Sequence, residues 1–169
     1  MAWFRRKKAS AKAVPRTEIR IADTRDLDDI VDMLELLVAD KVPRRARARY
    51  LKTMREEQKR MLLEPKAVWY VAERNTAEGK VLVGCARATL HEQHPLLAYL
   101  EKRDYGYMFG VFVKAEARRT GTGKKLVQKC ESWLRERGAK WVFLHSTVDG
   151  IPFYEALSYE PSLEFGKHL

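Results

Sequence analysis

Apolar side chains recur along the chain with two distinct periods. Residues 18–22 (Glu-Ile-Arg-Ile-Ala) alternate polar and apolar, which is the spacing of a half-buried strand. Asp23 and Thr24 then offer N-cap oxygens, and Leu27, Ile30, Val31, Leu34, Leu37 and Val38 return at helical spacing, so the pattern predicts strand, cap and amphipathic helix. A second helix is expected after Pro43, with Tyr50, Leu51, Met54, Met61 and Leu62 on its apolar side and its end before Pro65. Residues 67–73 and 81–90 read as two strands of a hairpin, joined by the turn-forming segment 74–80. Polar, irregular sequence around Pro95 follows, with one helical turn expected at 96–100, and then the nearly unbroken apolar run 107–113 predicts a central strand buried on both faces. Between residues 122 and 137 the apolar positions are Leu126, Val127, Cys130, Trp133 and Leu134, a helical stripe closed by Gly138 as a C-cap. A strand at 141–146, a short helix at 152–157 and an extended stretch at 162–168 complete the pattern. This order predicts an α/β (α+β) domain, a mixed sheet with helices on both faces, in which the long helix after residue 121 crosses between two parallel strands.

Composition narrows the class. The chain has 169 residues, 46% hydrophobic and 33% charged, enough for one globular core and too apolar for a disordered chain. No apolar run is long enough to span a membrane and the N-terminus lacks the apolar block of a secretory signal, so a cytoplasmic location is expected. Cys85 and Cys130 sit in apolar segments, as reduced core thiols rather than nucleophiles or a disulfide. The net charge of +10 is uneven: Arg5, Arg6, Lys7, Lys8, Lys12 and Arg16 precede the first acid, Glu18. Residues 1–16 therefore read as a solvated basic leader, with a contact to nucleic acid or anionic lipid, or an import peptide, as the functional alternatives, and residues 17–169 as the domain.

Candidate chemistry concentrates in Arg118-Arg119-Thr120-Gly121-Thr122-Gly123-Lys124-Lys125, between the most apolar strand and the long helix. Glycines permit positive φ, a helix start offers unpaired N–H groups and a favourable dipole, and the flanking cations add charge, all of which suit phosphate. A Walker loop would need Gly at position 118 and Ser or Thr at 125, and a dinucleotide fingerprint a small residue at 126, where Leu126 stands.

At Arg-x-x-Gly-x-Gly, following a strand that ends Val-Phe-Val, the chain resembles the GNAT superfamily of N-acetyltransferases. Four further segments lie at similar spacing: Ile19 to Leu27 at the opening, residues 81–90 with Gly84, residues 141–146, and Phe153-Tyr154-Glu155-Ala156-Leu157-Ser158-Tyr159. The resemblance covers roughly residues 18–169. It implies a mixed, mostly antiparallel sheet of six to seven strands whose fourth and fifth strands splay to admit acetyl-CoA. Val111, Phe112 and Val113 would then border the pantetheine arm, Val111 and Val113 through backbone groups. Arg118, Arg119, Thr120, Gly121, Thr122, Gly123 and Lys124 would surround the pyrophosphate. Tyr154 would protonate the departing thiolate. Implied too are a metal-free transfer of acetyl to a primary amine by direct attack, an acceptor that is a small molecule or a protein, and a homodimer as a candidate assembly.

Many relatives place a basic carboxylate on the fourth strand, and residues 107–113 contain none; Asp104, Glu101, Glu73, His91 and His145 stand as candidates, directly or through water, unranked by sequence. That gap keeps a catalytically silent acetyl-CoA binder as an alternative. A nucleic-acid-binding module is another, argued from the leader and from Arg44, Arg45, Arg47 and Arg49, although no nucleic-acid signature is present and a solvated helix face explains the arginines. The pair His91 and His94 lacks a third metal ligand and the spacing of a zinc helix, and Trp69, Trp133 and Trp141 fall in core-type segments.

Overall fold

The structure, a computed structural model, describes residues 16–39, 41–92 and 104–162. Five strands form one sheet in the order β1 (Thr17–Ile21), β2 (Ala67–Thr76), β3 (Gly79–His91), β4 (Tyr105–Val113) and β5 (Trp141–Leu144). The first four are antiparallel to their neighbours, and β5 lies parallel to β4. A parallel pair needs a crossover, supplied by α3 (Thr122–Glu136). Helices α1 (Leu27–Val38) and α2 (Arg47–Leu62) lie earlier in the chain, and α4 (Ile151–Glu155) follows β5.

Both faces of the sheet are buried, and alternation along β2 sorts its side chains between them. Trp69 and Val71 pack with Ile30, Leu34, Met54 and Met61 under α1 and α2, whereas Val68, Tyr70 and Ala72 pack with Leu126, Val127, Cys130 and Leu134 under α3. Double burial is why residues 67–72 and 107–113 are almost continuously apolar. Entry into α1 is fixed by a capping box: the Arg25 amide donates to Asp23 Oδ1 at 2.8 Å and the Asp23 amide to Asp26 Oδ2 at 2.9 Å. Arg20 donates from two nitrogens to the Asp26 carboxylate at 2.7 and 2.8 Å, locking β1 to the start of the helix. At the far end of α3, the Ala139 amide donates to the Leu134 carbonyl and the Gly138 amide to the Arg135 carbonyl, the Schellman closure expected of Gly138.

The main differences from expectation concern two boundaries and the strand count. The hairpin turn shrinks to Ala77 and Glu78, because β2 runs to Thr76 and β3 begins at Gly79. β5 stops at Leu144 rather than at residue 146, the main difference for function. Five strands are described rather than six to seven; the extended stretch expected at 162–168, like the turn at 96–100 and the leader up to residue 15, falls almost wholly outside the described residues.

Candidate active site

The β4–β5 ladder pairs Tyr105, Gly106, Tyr107 and Met108 with Trp141, Val142, Phe143 and Leu144, and goes no further. From Phe109 to Val113, β4 keeps β3 on one side and has no strand partner among the described residues on the other. A bulge coincides with that parting. Cys85 faces Phe112 and Arg87 faces Phe109, so Ala86 alone opposes both Gly110 and Val111. Gly110 has φ +64°, and a Cβ there would stand 2.7 Å from Leu34 and 3.0 Å from Trp69, so only glycine fits. The extra residue shifts the alternation by one position: Met108, Val111 and Val113 pack toward α3, while Phe109 and Phe112 pack toward α1.

The open half of β4 leads straight into the glycine turn. Lys114 donates its amide to the Val83 carbonyl at 2.8 Å, a 3-10 turn covers Ala115–Ala117, and the backbone then passes through left-handed conformations at Arg119 (φ +59°) and Gly121 (φ +79°) before α3 begins. Gly121 is the N-cap of α3 and has no side chain to cap the first-turn amides; the first turn holds Lys124 and Lys125 and no acid. That combination gives a partial positive end, unneutralised by the helix's own residues. Around a Cβ placed on Gly121 there is nothing within 4 Å, so the approach is open. Gly123 is crowded instead: its Cβ would meet the Phe153 ring at 3.3 Å and the Val113 side chain at 3.7 Å, so β4, α3 and α4 converge there.

Not every predicted residue points outward. Arg118 donates Nε to the Val113 carbonyl at 3.0 Å, tying the turn to the strand end. The Thr120 hydroxyl donates to the Ala117 carbonyl at 2.7 Å and lies 2.8 Å from the hydroxyl of buried Thr122, so the two threonines shape the loop. Arg118, Arg119, Thr120, Gly121 and Lys124 are all exposed, and Thr122 alone of the seven is buried.

Tyr154 is half-buried in α4 against the α3 core cluster, edge-on to Phe153 and Tyr159 at ring separations of 5.1 and 5.6 Å. Its hydroxyl makes no hydrogen bond among the described residues, and burial pushes its pKa up to about 12, so it is protonated at neutral pH. Tyr159, by contrast, donates to Glu131 Oε1 at 2.8 Å.

The structure separates the proposed bases. Glu73 is bound by Arg20 at 3.0 Å and Lys80 at 2.6 Å, two strands away from β4. Asp104 precedes β4, and Glu101 lies outside the described residues. His91 ends β3, stacked on Tyr105 at 5.1 Å, with its pKa lowered by burial and by the charge of Arg87. His145 is the first residue after β5, and its Nδ1 is hydrogen-bonded to the Tyr107 hydroxyl, bridging the two strands where they part. That bridge, the Gly110 bulge and the seat of Gly123 on Phe153 were not anticipated. A glycine inside the apolar run was the available signal for the bulge; nothing in the sequence pairs residues 107 and 145.

Both cysteines fall where expected. Cys85 and Cys130 are buried free thiols with burial raising both pKa values, that of Cys130 to about 12. Arg47 pairs with Glu35 at 2.6 Å and Arg55 with Asp28, so acids of α1 partly neutralise the basic face of α2. Among the described residues no group of three His, Cys, Asp or Glu side chains could hold a metal, and no helix is long and apolar enough to cross a membrane.

A profile of the acetyltransferase (GNAT) family matches residues 30–159. No curated protein sequence matches the chain significantly. Among solved structures, a GCN5-related N-acetyltransferase from Ralstonia eutropha JMP134 superposes with a TM-score of 0.80 at 21% identity, over 91% of this chain and 99% of that one. A predicted acetyltransferase from Clostridium acetobutylicum, solved with acetyl-CoA, gives 0.75 at 16% identity over 91% and 96%. The aminoglycoside N-acetyltransferase AAC(6')-Iy in complex with CoA gives 0.71 at 14% identity over 94% and 97%. These likenesses establish the same fold.

Proposed function

The chain belongs to the acetyltransferase (GNAT) family, and on that premise we propose that it transfers acetyl from acetyl-CoA to a primary amine by direct attack in a ternary complex. One observation carries the reading: β4 loses its partner at Phe109 and runs, still open, into an acid-free helix start at Gly121. An extended chain bearing amides at one end and a pyrophosphate at the other matches both parts, with ladder-type bonds to Val111 and Val113 and anion binding at residues 119–124.

Each residue then has a physical task. Backbone N–H groups on the open half of β4 hold the thioester carbonyl and stabilise the oxyanion as the amine adds. His145, steadied by Tyr107, takes the proton that the attacking ammonium must lose. As the C–S bond breaks, Tyr154 donates its hydroxyl hydrogen to the thiolate, and the second proton that nitrogen sheds as the amide forms restores the phenol; a raised pKa keeps that donor protonated between turnovers. No covalent enzyme intermediate is required. A cytoplasmic setting accords with two unpaired thiols. Titrating the protein with acetyl-CoA in a thermal melt, then following thiol release across a panel of amines, tests the proposal. No stabilisation by acetyl-CoA or CoA would contradict it at the first step.

A further inference from the structure

Arg87 stands apart from the other arginines of the sheet. Its guanidinium lies over the Phe109 ring at 4.7 Å and the Trp69 ring at 5.7 Å, and Nη1 donates to Oε1 of the buried Gln58 at 2.9 Å. Among the described residues no carboxylate binds it. Nε is buried with no acceptor, and Trp69 Nε1, in the same cluster, is a second buried donor without one. Glu57 of α2 is near enough to act on Arg87 electrostatically, yet its carboxylate is held by Arg60 at 3.0 to 3.1 Å. Arg20, by comparison, has two carboxylate partners. Arg74 also lacks an acid among the described residues and has a buried nitrogen, Nη2, without an acceptor, but its other nitrogens donate to the Thr17 hydroxyl and the Glu116 carbonyl, on a strand two removed from β4.

A guanidinium is permanently charged, and withdrawing it from water beside two unpaired N–H groups is unfavourable unless an anion repays the cost on binding. The position is informative. Arg87 faces Phe109 in the β3–β4 register, and Phe109 is the first β4 residue without a β5 partner, directly before the Gly110–Val111 bulge. We infer that the acceptor amine carries an anionic group, carboxylate or phosphate, which Arg87 binds while the rings of Phe109 and Tyr107 take the adjoining part of the molecule. This rests on the transferase reading for where the amine must sit. It assigns the acceptor class: the amine is anchored by its negative end so that its nitrogen meets the acetyl group at the open half of β4. The same charge disfavours a polyamine.

The test uses the full chain saturated with CoA. Matched pairs are titrated calorimetrically: aromatic and aliphatic α-amino acids against their decarboxylated amines, and phosphoethanolamine against ethanolamine. At least one anion-bearing member is expected to bind roughly 10- to 100-fold more tightly than its partner, the usual worth of charge-assisted hydrogen bonds. Which pair shows it distinguishes carboxylate from phosphate. Arg87→Gln should remove the preference and leave stabilisation by CoA unchanged. Equal affinities within every pair, or a preference that survives Arg87→Gln, overturn the inference. Should Arg87→Gln fail to fold, acetate and inorganic phosphate are titrated against the unaltered protein: one of them must compete with the preferred anionic amine, and competition by neither overturns the inference as well. If CoA itself gives no stabilisation, the transferase reading falls, and the pairwise titrations still decide on Arg87.

Discussion

β4 is two strands in one. From Tyr105 to Met108 it is laddered on both sides; from Phe109 to Val113 on one only. Both halves are built of apolar and aromatic residues and glycine, so hydrophobicity alone did not decide which becomes structure and which becomes site. Two other facts did: β5 is only four residues long, and Gly110 admits a left-handed residue that re-aims Val111 and Val113. A central strand thus serves as core at one end and as a template for an extended ligand at the other.

The most disruptive way to break this contrast is Gly110→Val. A β-branched residue at φ +64° with its Cβ against Leu34 and Trp69 combines backbone strain with overpacking, and we expect a loss of about 3–5 kcal/mol in urea unfolding. Gly106→Ala probes the laddered half: its Cβ would collide with the buried Leu134 side chain, so about 1–3 kcal/mol of stability should go, with acetyl-CoA binding intact in the folded fraction.

Gly121→Asp sharpens the contrast from the other side. Aspartate visits the left-handed region at a cost of about 1 kcal/mol, and the site is open, so the protein should fold with a modestly lower melting temperature. Its carboxylate would stand at the pyrophosphate position, and stabilisation by acetyl-CoA should vanish. Tyr154→Phe keeps the packed ring and removes the donor; kcat should drop by about 10²-fold with acetyl-CoA affinity unaltered, and an unchanged kcat with chemistry rate-limiting would retire the role.

The smallest effect belongs to the region farthest from the contrast. Hydrogen bonds from Arg20, opposed by burial and reinforced by the Asp23 amide, hold the Asp26 carboxyl below its usual range. A depressed folded-state pKa means stabilisation that is present above pH ~4, the unfolded value, and lost as pH falls through the folded one. Asp26→Asn should therefore lower stability by about 1–2 kcal/mol at pH 7 and flatten the acid limb of the melting curve, while the acetyl-CoA shift persists.

What the sequence made legible follows from what leaves a local trace. Periodicity placed α1, α2, α3 and the strands because burial on one or two faces dictates spacing, and Gly138 and Asp23 marked helix ends through their own backbone bonds. The glycine turn was readable since its residues are contiguous. The parting of β4 from β5 was suggested only by the family resemblance, being a property of where another strand stops. The Tyr107–His145 bridge and the isolation of Arg87 are contacts made across strands, and short-range pattern carries no record of them.

If the open half of β4 and the Gly121 turn together receive acetyl-CoA, amide hydrogen exchange of the protein with and without acetyl-CoA will show it segment by segment. Added protection should concentrate at residues 109–113 and 119–124, with residues 105–108 unchanged because their ladder is already complete. Protection that is uniform along β4, or that appears elsewhere while those two segments exchange as before, would contradict it.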